Sequence, residues 1–205
     1  MNKVLIVSFL ILGCTAQFEP IEINNPASEN GKYPRLFTDN TNTVFMTWYE
    51  ETNDTTFLYY SKYIDESWSD PYLISQSDSW FVNWADFPSV IGVDGNAIAA
   101  HWLQKTPGGT YSYDVTIATS DSDFDKPFVP HNDNTPTEHG FASLVPLSDS
   151  SFYAVWLDGR NTMGGHGHDD EHSSDITSAM TLRGSLVTLG GEVIDEEIDP
   201  NICDC

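Results

Sequence analysis

Thr43-Val-Phe-Met-Thr-Trp48-Tyr-Glu50, Ala97-Ile-Ala-Ala-His-Trp102-Leu-Gln104 and Phe152-Tyr-Ala-Val-Trp156-Leu-Asp-Gly159 are one segment written three times. The tryptophans stand 54 residues apart at each step. A fixed period of this size marks a chain built from repeated supersecondary units. Working outward, Tyr33, Phe87 and Phe141 hold the same spacing, as do Leu36, Val90 and Leu144. Turn residues keep step as well: Asn40, Asp94 and Ser148, then Asn42, Asn96 and Ser150. Columns of aromatic, aliphatic and turn residues in one register define a repeat protein.

Each repeat has the same grammar. A first strand covers Arg35 to Thr38, Ser89 to Val93 and Ser143 to Leu147. A tight turn rich in Asn, Asp, Ser and Gly leads into the tryptophan strand. A third strand reads TTFLYYSKY, YDVTIATS and SAMTLRGSLV, and a short fourth reads WSDPYLIS, FDKPFVPH and EVIDEEID. Four antiparallel strands per repeat predict an all-β chain, a β-propeller with three blades over 33–75, 87–130 and 141–199. The partial propeller as a whole spans 32–205.

The composition supports this. The 205 residues are 40% hydrophobic and 13% aromatic, which excludes disorder and favours strands. Thirty-one acidic residues against 8 basic ones give a formal charge of −23. Such a chain is repelled by nucleic acid and by anionic membrane surfaces. The acidity reads as a solvated surface, and no acidic loop has the spacing of an EF-hand.

Lys3 followed by the apolar run Val4 to Leu12 is a targeting segment, too short for a stable membrane anchor. It ends in Ile11-Leu12-Gly13-Cys14, which resembles a bacterial lipobox. The resemblance makes residues 1–14 a signal peptide and Cys14 the lipidated first residue of the mature chain, so the membrane is reached only through that lipid. Cleavage after Ala16, giving a secreted protein, is the alternative. Residues 15–31 read as a polar tether. Export permits disulfides, but Cys203 and Cys205 are too close for an unstrained bridge to each other.

Ser61-x-x-x-Asp65-x-x-Trp68 and Ser120-x-x-Asp123-Phe124 resemble the Asp-box hairpins that join the third and fourth strands of sialidase-type propellers. In those hairpins the Asp caps its own turn and the aromatic plugs between sheets; both copies here lack the motif's glycine. Trp156-Leu157-Asp158-Gly159-Arg160, Met180-Thr181-Leu182-Arg183-Gly184 and the closing Cys203-Asp204-Cys205 resemble exported sialidase-like (exo-α-sialidase, BNR-type) propeller lipoproteins of Bacteroidetes. That resemblance implies six blades, of which this sequence would be the N-terminal half, and a glycoside hydrolase acting on sialylated or other acidic glycans. The alternative is a non-catalytic surface propeller that binds glycans or proteins. Unpaired strand edges would also permit edge-to-edge self-association.

Propellers bind ligands on the face made by the loops between strands four and one, and between strands two and three. Those loops present Arg35, Trp84, Asp86, Glu138 and His139, and then Asp158 and Arg160. Arg35 and Arg160 are two of only three arginines in the chain. A guanidinium can pair bidentately with the carboxylate of an acidic sugar. Arg35 stands where the other repeats have Ser89 and Ser143, so the scaffold does not require it; the competing reading is a surface arginine paired with an Asp. The resemblance implies an acid/base carboxylate, for which Asp86 is placed by position, together with a nucleophilic Tyr and its Glu expected in further blades. Asp158 reads either as orienter of a clamping Arg160 or as a proton donor, or else the pair closes a turn as a local salt bridge.

Gly164 to His172 is the densest set of metal-binding letters, with His166, His168 and His172 among carboxylates. It could hold Zn²⁺, Cu²⁺ or Ni²⁺, though a glycine-flanked loop suits weak, incidental binding better, and no other cofactor is expected. His101 reads as a packed sheet residue.

Overall fold

A computed structural model describes residues 19–162 and 179–202. Cys14, His166, His168, His172, Cys203 and Cys205 lie outside the described residues, as does the targeting segment. The described chain is all-β and its sheets are antiparallel. No helix among the described residues is long and apolar enough to cross a membrane.

The first sheet contains β1 (Gly31–Thr38), β2 (Val44–Thr52) and β3 (Thr55–Ile64), in that order. The outer edge of β3 takes two short strands in succession, β4 (Ser67–Trp68) and β5 (Tyr72–Ser77). Pro71 falls between them and interrupts the run. The second sheet is β6 (Ser89–Val93), β7 (Asn96–Lys105) and β8 (Tyr113–Thr119). The third is β9 (His139–Ser148), β10 (Ser151–Asp158), β11 (Met180–Thr188) and β12 (Val193–Ile202).

In each sheet the tryptophan strand is second, and the first strands lie side by side, β1 against β6 and β6 against β9. Side chains alternate across a strand, so the second sheet buries both faces. Val90, Ala100, Trp102 and Ala118 pack against Phe45, Tyr49 and Leu58 of the first sheet. Ile91, Ala99, Leu103, Val115 and Ile117 pack against Leu144, Phe152, Ala154 and Trp156 of the third. Trp102 and Trp156 thus both face the preceding sheet. Removing either indole should cost about 3–5 kcal/mol.

Trp48 points the corresponding way and meets the chain's own N-terminal segment. Its indole N–H donates to Glu50 Oε1 at 2.9 Å, and that oxygen also accepts the Ser28 amide at 3.0 Å. A Cβ on Gly31 would lie 2.7 Å from Ala27 Cβ and 3.5 Å from Trp48 Cδ1. The end of the stretch expected as tether is therefore part of the packed sheet, and β1 starts at Gly31 rather than Arg35.

One other expectation is corrected. The fourth strand expected at FDKPFVPH reduces to one bridge, in which Phe128 exchanges both backbone hydrogen bonds with Ile117 at 2.8 Å. Pro127 and Pro130 flank it and offer no N–H to a ladder. The aromatic column Tyr33, Phe87, Phe141 lies outside the core, with all three residues part-exposed or exposed. Tyr33 (φ 55°) and Phe141 (φ 52°) are left-handed residues where the register slips between Lys32 and Arg35 and between Val155 and Leu157. These are β-bulges, which re-aim the side chains that follow.

The Asp-box-like hairpins also depart from their motif. Phe124 does plug the space between the first two sheets, buried against Tyr60 and Tyr72. Asp123 turns outward to accept the Tyr72 hydroxyl at 2.6 Å instead of capping its turn. Asp65 has a left-handed backbone (φ 49°), and Ser61 donates to the Ser69 carbonyl at 2.7 Å.

Candidate functional site

Glu138 immediately precedes β9 and His139 opens it, and the alternation of extended backbone sends their side chains to opposite sides. Each joins a different polar cluster.

On the Glu138 side lie Arg35, Asp86 and Tyr113. Asp86 is buried in the loop before β6 and accepts the backbone N–H of Phe141, the bulged residue. Tyr113, fully buried at the start of β8, donates its hydroxyl hydrogen to Glu138 Oε1. Gly140 separates the two: a Cβ there would come 2.7 Å from Asp86 Oδ2 and 2.8 Å from Tyr113 Cε2. Arg35 reaches across from β1 to the Ala142 carbonyl, 3.3 Å from Nη1. Burial raises the Asp86 carboxyl to about 6; the Phe141 amide and the nearby Arg35 charge oppose that rise, while the Glu138 charge adds to it. Burial and the Glu138 contact push the Tyr113 hydroxyl well above its ordinary range. Trp84, two residues before Asp86, is 78% exposed.

On the other side is a denser cluster where the second and third sheets meet. His139 is fully buried, and the β9–β10 register sets it opposite Asp158. Asp158 is fully buried as well. It accepts Arg160 Nε at Oδ1 and Arg160 Nη2 at Oδ2, both at 2.7 Å, and the Trp156 indole N–H at 2.9 Å. Arg160 also lies 3.1 Å from Asp133 and 3.8 Å from Asp195. Burial works against the Asp158 charge, but Arg160, His139 and Trp156 hold its carboxyl below the usual carboxylate range. An ionised, occluded carboxylate can orient Arg160; it has no proton to donate near neutral pH.

Asp133 and His131 come from the loop between β8 and β9, and Asp114 from the start of β8. His131 and His139 stack with ring centroids 4.2 Å apart. Asp133 sits on one side of the pair, 3.2 Å from His131 Nδ1 and 3.0 Å from His139 Nε2. Asp114 Oδ1 sits on the other, 3.0 Å from His139 Nδ1 and 3.7 Å from His131 Nε2. Burial disfavours a charge on His139, yet Asp114, Asp158 and Asp133 together raise it above an ordinary histidine. His131 is lowered, by burial first and then by the neighbouring His139.

The sequence thus names members of both clusters. Arg35, Asp86 and Glu138 come together, as do His139, Asp158 and Arg160, but the two sets face different ways. Tyr113, Asp114, His131 and Asp133 were not singled out. A signal for the last two existed in His131-x-Asp133-x₅-His139, which was divided between a strand end and a loop. Arg183, the third arginine, pairs from β11 with Asp195 at 3.0 Å and Glu197 at 3.4 Å. His101 is fully buried, takes a 2.7 Å hydrogen bond with Ser89, and is lowered to about 3 by desolvation and then by Arg35. A cavity at the far, hairpin end of β1, β6 and β9 is lined by Phe37, Gly92, Val145 and Leu147; its one charged residue, Asp39, is engaged by turn amides. No protein-family model matches the chain, and no curated protein matches its sequence.

Proposed function

We propose that the three sheets are consecutive blades of a sialidase-like propeller, part of an exported glycoside hydrolase, and that the face carrying Arg35, Asp86 and Glu138 binds sialylated or other acidic glycans. The observation that carries this reading is the meeting of Arg35 and Asp86. They come from different repeats and lie close enough for the arginine's charge to act on the carboxyl. A guanidinium is the group suited to a sugar carboxylate. An acid titrating near 6 can hold a proton for a glycosidic oxygen. Trp84 adds an exposed indole face on which a sugar ring can stack.

The non-catalytic form of this reading has an observation in its favour. Tyr113, the tyrosine paired with Glu138 on this face, is fully buried and its hydroxyl is strongly raised, so it is no accessible nucleophile. Isothermal titration with 3′-sialyllactose and with lactose tests the shared claim. Saturable heat with the sialylated sugar alone supports it; equal responses, or none, defeat it. Release of a fluorophore from an aryl sialoside separates the hydrolase from the binding module.

A further inference from the structure

We propose that Asp114, His131 and His139 form a binding site for one divalent d-block cation of the Zn²⁺ class, which fastens β8 to β9 at the junction of the second and third sheets. Asp114, His131 and His139 each offer one ligand atom, and the three atoms lie within 4.8 Å of one another; Asp114 Oδ1 faces His139 Nδ1 and His131 Nε2. The oxygen is 3.0 and 3.7 Å from the two nitrogens. A cation about 2.0–2.2 Å from each ligand places neighbouring ligand atoms at about this separation.

The nitrogens themselves argue for a ligand. The His131 and His139 side chains are 3% and 0% exposed. Yet both ring nitrogens of His131, and His139 Nδ1, lack an aligned hydrogen-bond partner. Buried polar atoms are normally paired, and an orphan calls for an explanation such as an ion. Asp133 already occupies the outward side of both rings, at 3.2 Å from His131 Nδ1 and 3.0 Å from His139 Nε2. For His139, whose Nε2 hydrogen-bonds Asp133, this is the carboxylate–histidine arrangement that orients a ligating imidazole from behind. It leaves His131 Nε2 and His139 Nδ1 turned toward Asp114.

The second carboxylate grouping, Asp133 with His139 and Asp158, is a poorer host. Arg160 already lies against both of its aspartates, at 3.1 and 2.7 Å. A cation there would face the guanidinium. Two imidazole nitrogens and one carboxylate oxygen suit Zn²⁺ and its neighbours rather than Ca²⁺ or Mg²⁺, which take oxygen ligands. The set leaves a fourth position for water. Asp114, 20% exposed, is the side by which an ion can enter. The proposal is independent of the glycan reading.

The test uses the full chain and a variant in which His166, His168 and His172 are all alanine, which removes the competing loop. Metal-free protein is titrated with Zn²⁺, and bound metal is counted after dialysis. Both proteins should retain one equivalent, with a thermal midpoint raised by about 4 °C or more. Adding Asp114→Asn or His131→Gln to the loop variant should weaken binding about tenfold or more and abolish that rise, while each metal-free variant still unfolds cooperatively. Co²⁺ in the loop variant should give the intense visible bands of a four-coordinate nitrogen and oxygen site. A loop variant that retains no metal, or Asp114→Asn and His131→Gln proteins that bind Zn²⁺ as before, would overturn the proposal.

Discussion

Asn40 and Asp94, one 54-residue repeat apart, exchange two hydrogen bonds. Asn40 Nδ2 donates to Asp94 Oδ1 at 2.7 Å, and the Asp94 amide donates to Asn40 Oδ1 at 2.9 Å. Equivalent turns of successive sheets therefore touch. Asp39 reinforces the joint: Oδ1 takes the Thr41 and Thr43 amides of its own turn, and Oδ2 takes the Gly95 amide of the next at 2.6 Å. Burial resists its charge, but these donors hold the carboxyl below its ordinary value.

Replacing Asp39 with alanine should leave three amides short of an acceptor and cost about 3 kcal/mol. Because the folded pKa is depressed, the Asp39 contribution is present above the unfolded value and disappears as pH falls through the folded one. Urea unfolding at pH 7 should show the full deficit against the native chain. At strongly acid pH the two proteins should converge; an equal gap at both would reject the electrostatic account.

Arg160 is the only arginine on Asp158 among the described residues, and Asp158 is fully buried. Breaking such a pair leaves an uncompensated charge, so Arg160→Leu should destabilise by about 3 kcal/mol. The double variant Arg160→Leu/Asp158→Leu should recover part of the loss, because the fully buried Asp158 charge is removed with its partner. Chemical unfolding of the three proteins checks this, and a double variant weaker than the sum of the singles would contradict it.

Asp86 titrates in the opposite sense to Asp39. Its folded pKa, about 6, is raised by burial above the ordinary carboxyl value of 3.8. Its contribution is thus fully present below the unfolded pKa and is lost as pH rises through the folded one. The difference corresponds to about 3 kcal/mol between pH 4 and 7. Asp86→Asn keeps an acceptor for the Phe141 amide and should flatten that part of the stability profile. Thermal unfolding measured every half pH unit would reveal an unchanged slope if the assignment is wrong.

Much of the fold was legible because its determinants are local and periodic. Alternation around each tryptophan gave the strands, and Asn, Asp and Gly gave the hairpins. The bulges at Tyr33 and Phe141 were not legible, because an aromatic letter in register carries no sign of a positive φ. The prolines that cut the expected fourth strand of the second sheet were visible, but their effect depends on which backbone edge they face. In the sites, loop position found Arg35, Asp86, Glu138, His139, Asp158 and Arg160. Asp114 and Tyr113 sit inside a strand and became partners of those residues only through the packing of two sheets.

Trp84 offers a separation of binding from stability. Its ring is 78% exposed, so Trp84→Ala should shift the unfolding free energy by no more than about 0.5 kcal/mol. If a sugar stacks there, the same change should weaken 3′-sialyllactose binding at least about tenfold, or about 1.4 kcal/mol. Intact affinity in a well-folded variant would remove the indole from the ligand face.

The central claim is that Arg35 meets the carboxylate of an acidic sugar. Titration of the native chain and of Arg35→Met with 3′-sialyllactose, followed by tryptophan fluorescence with lactose as control, tests it most directly. The native chain should respond saturably to the sialylated sugar and not to lactose, and Arg35→Met should lose that response while unfolding at a similar temperature. Equal responses from both proteins, or a native chain that does not distinguish the two sugars, would contradict the account.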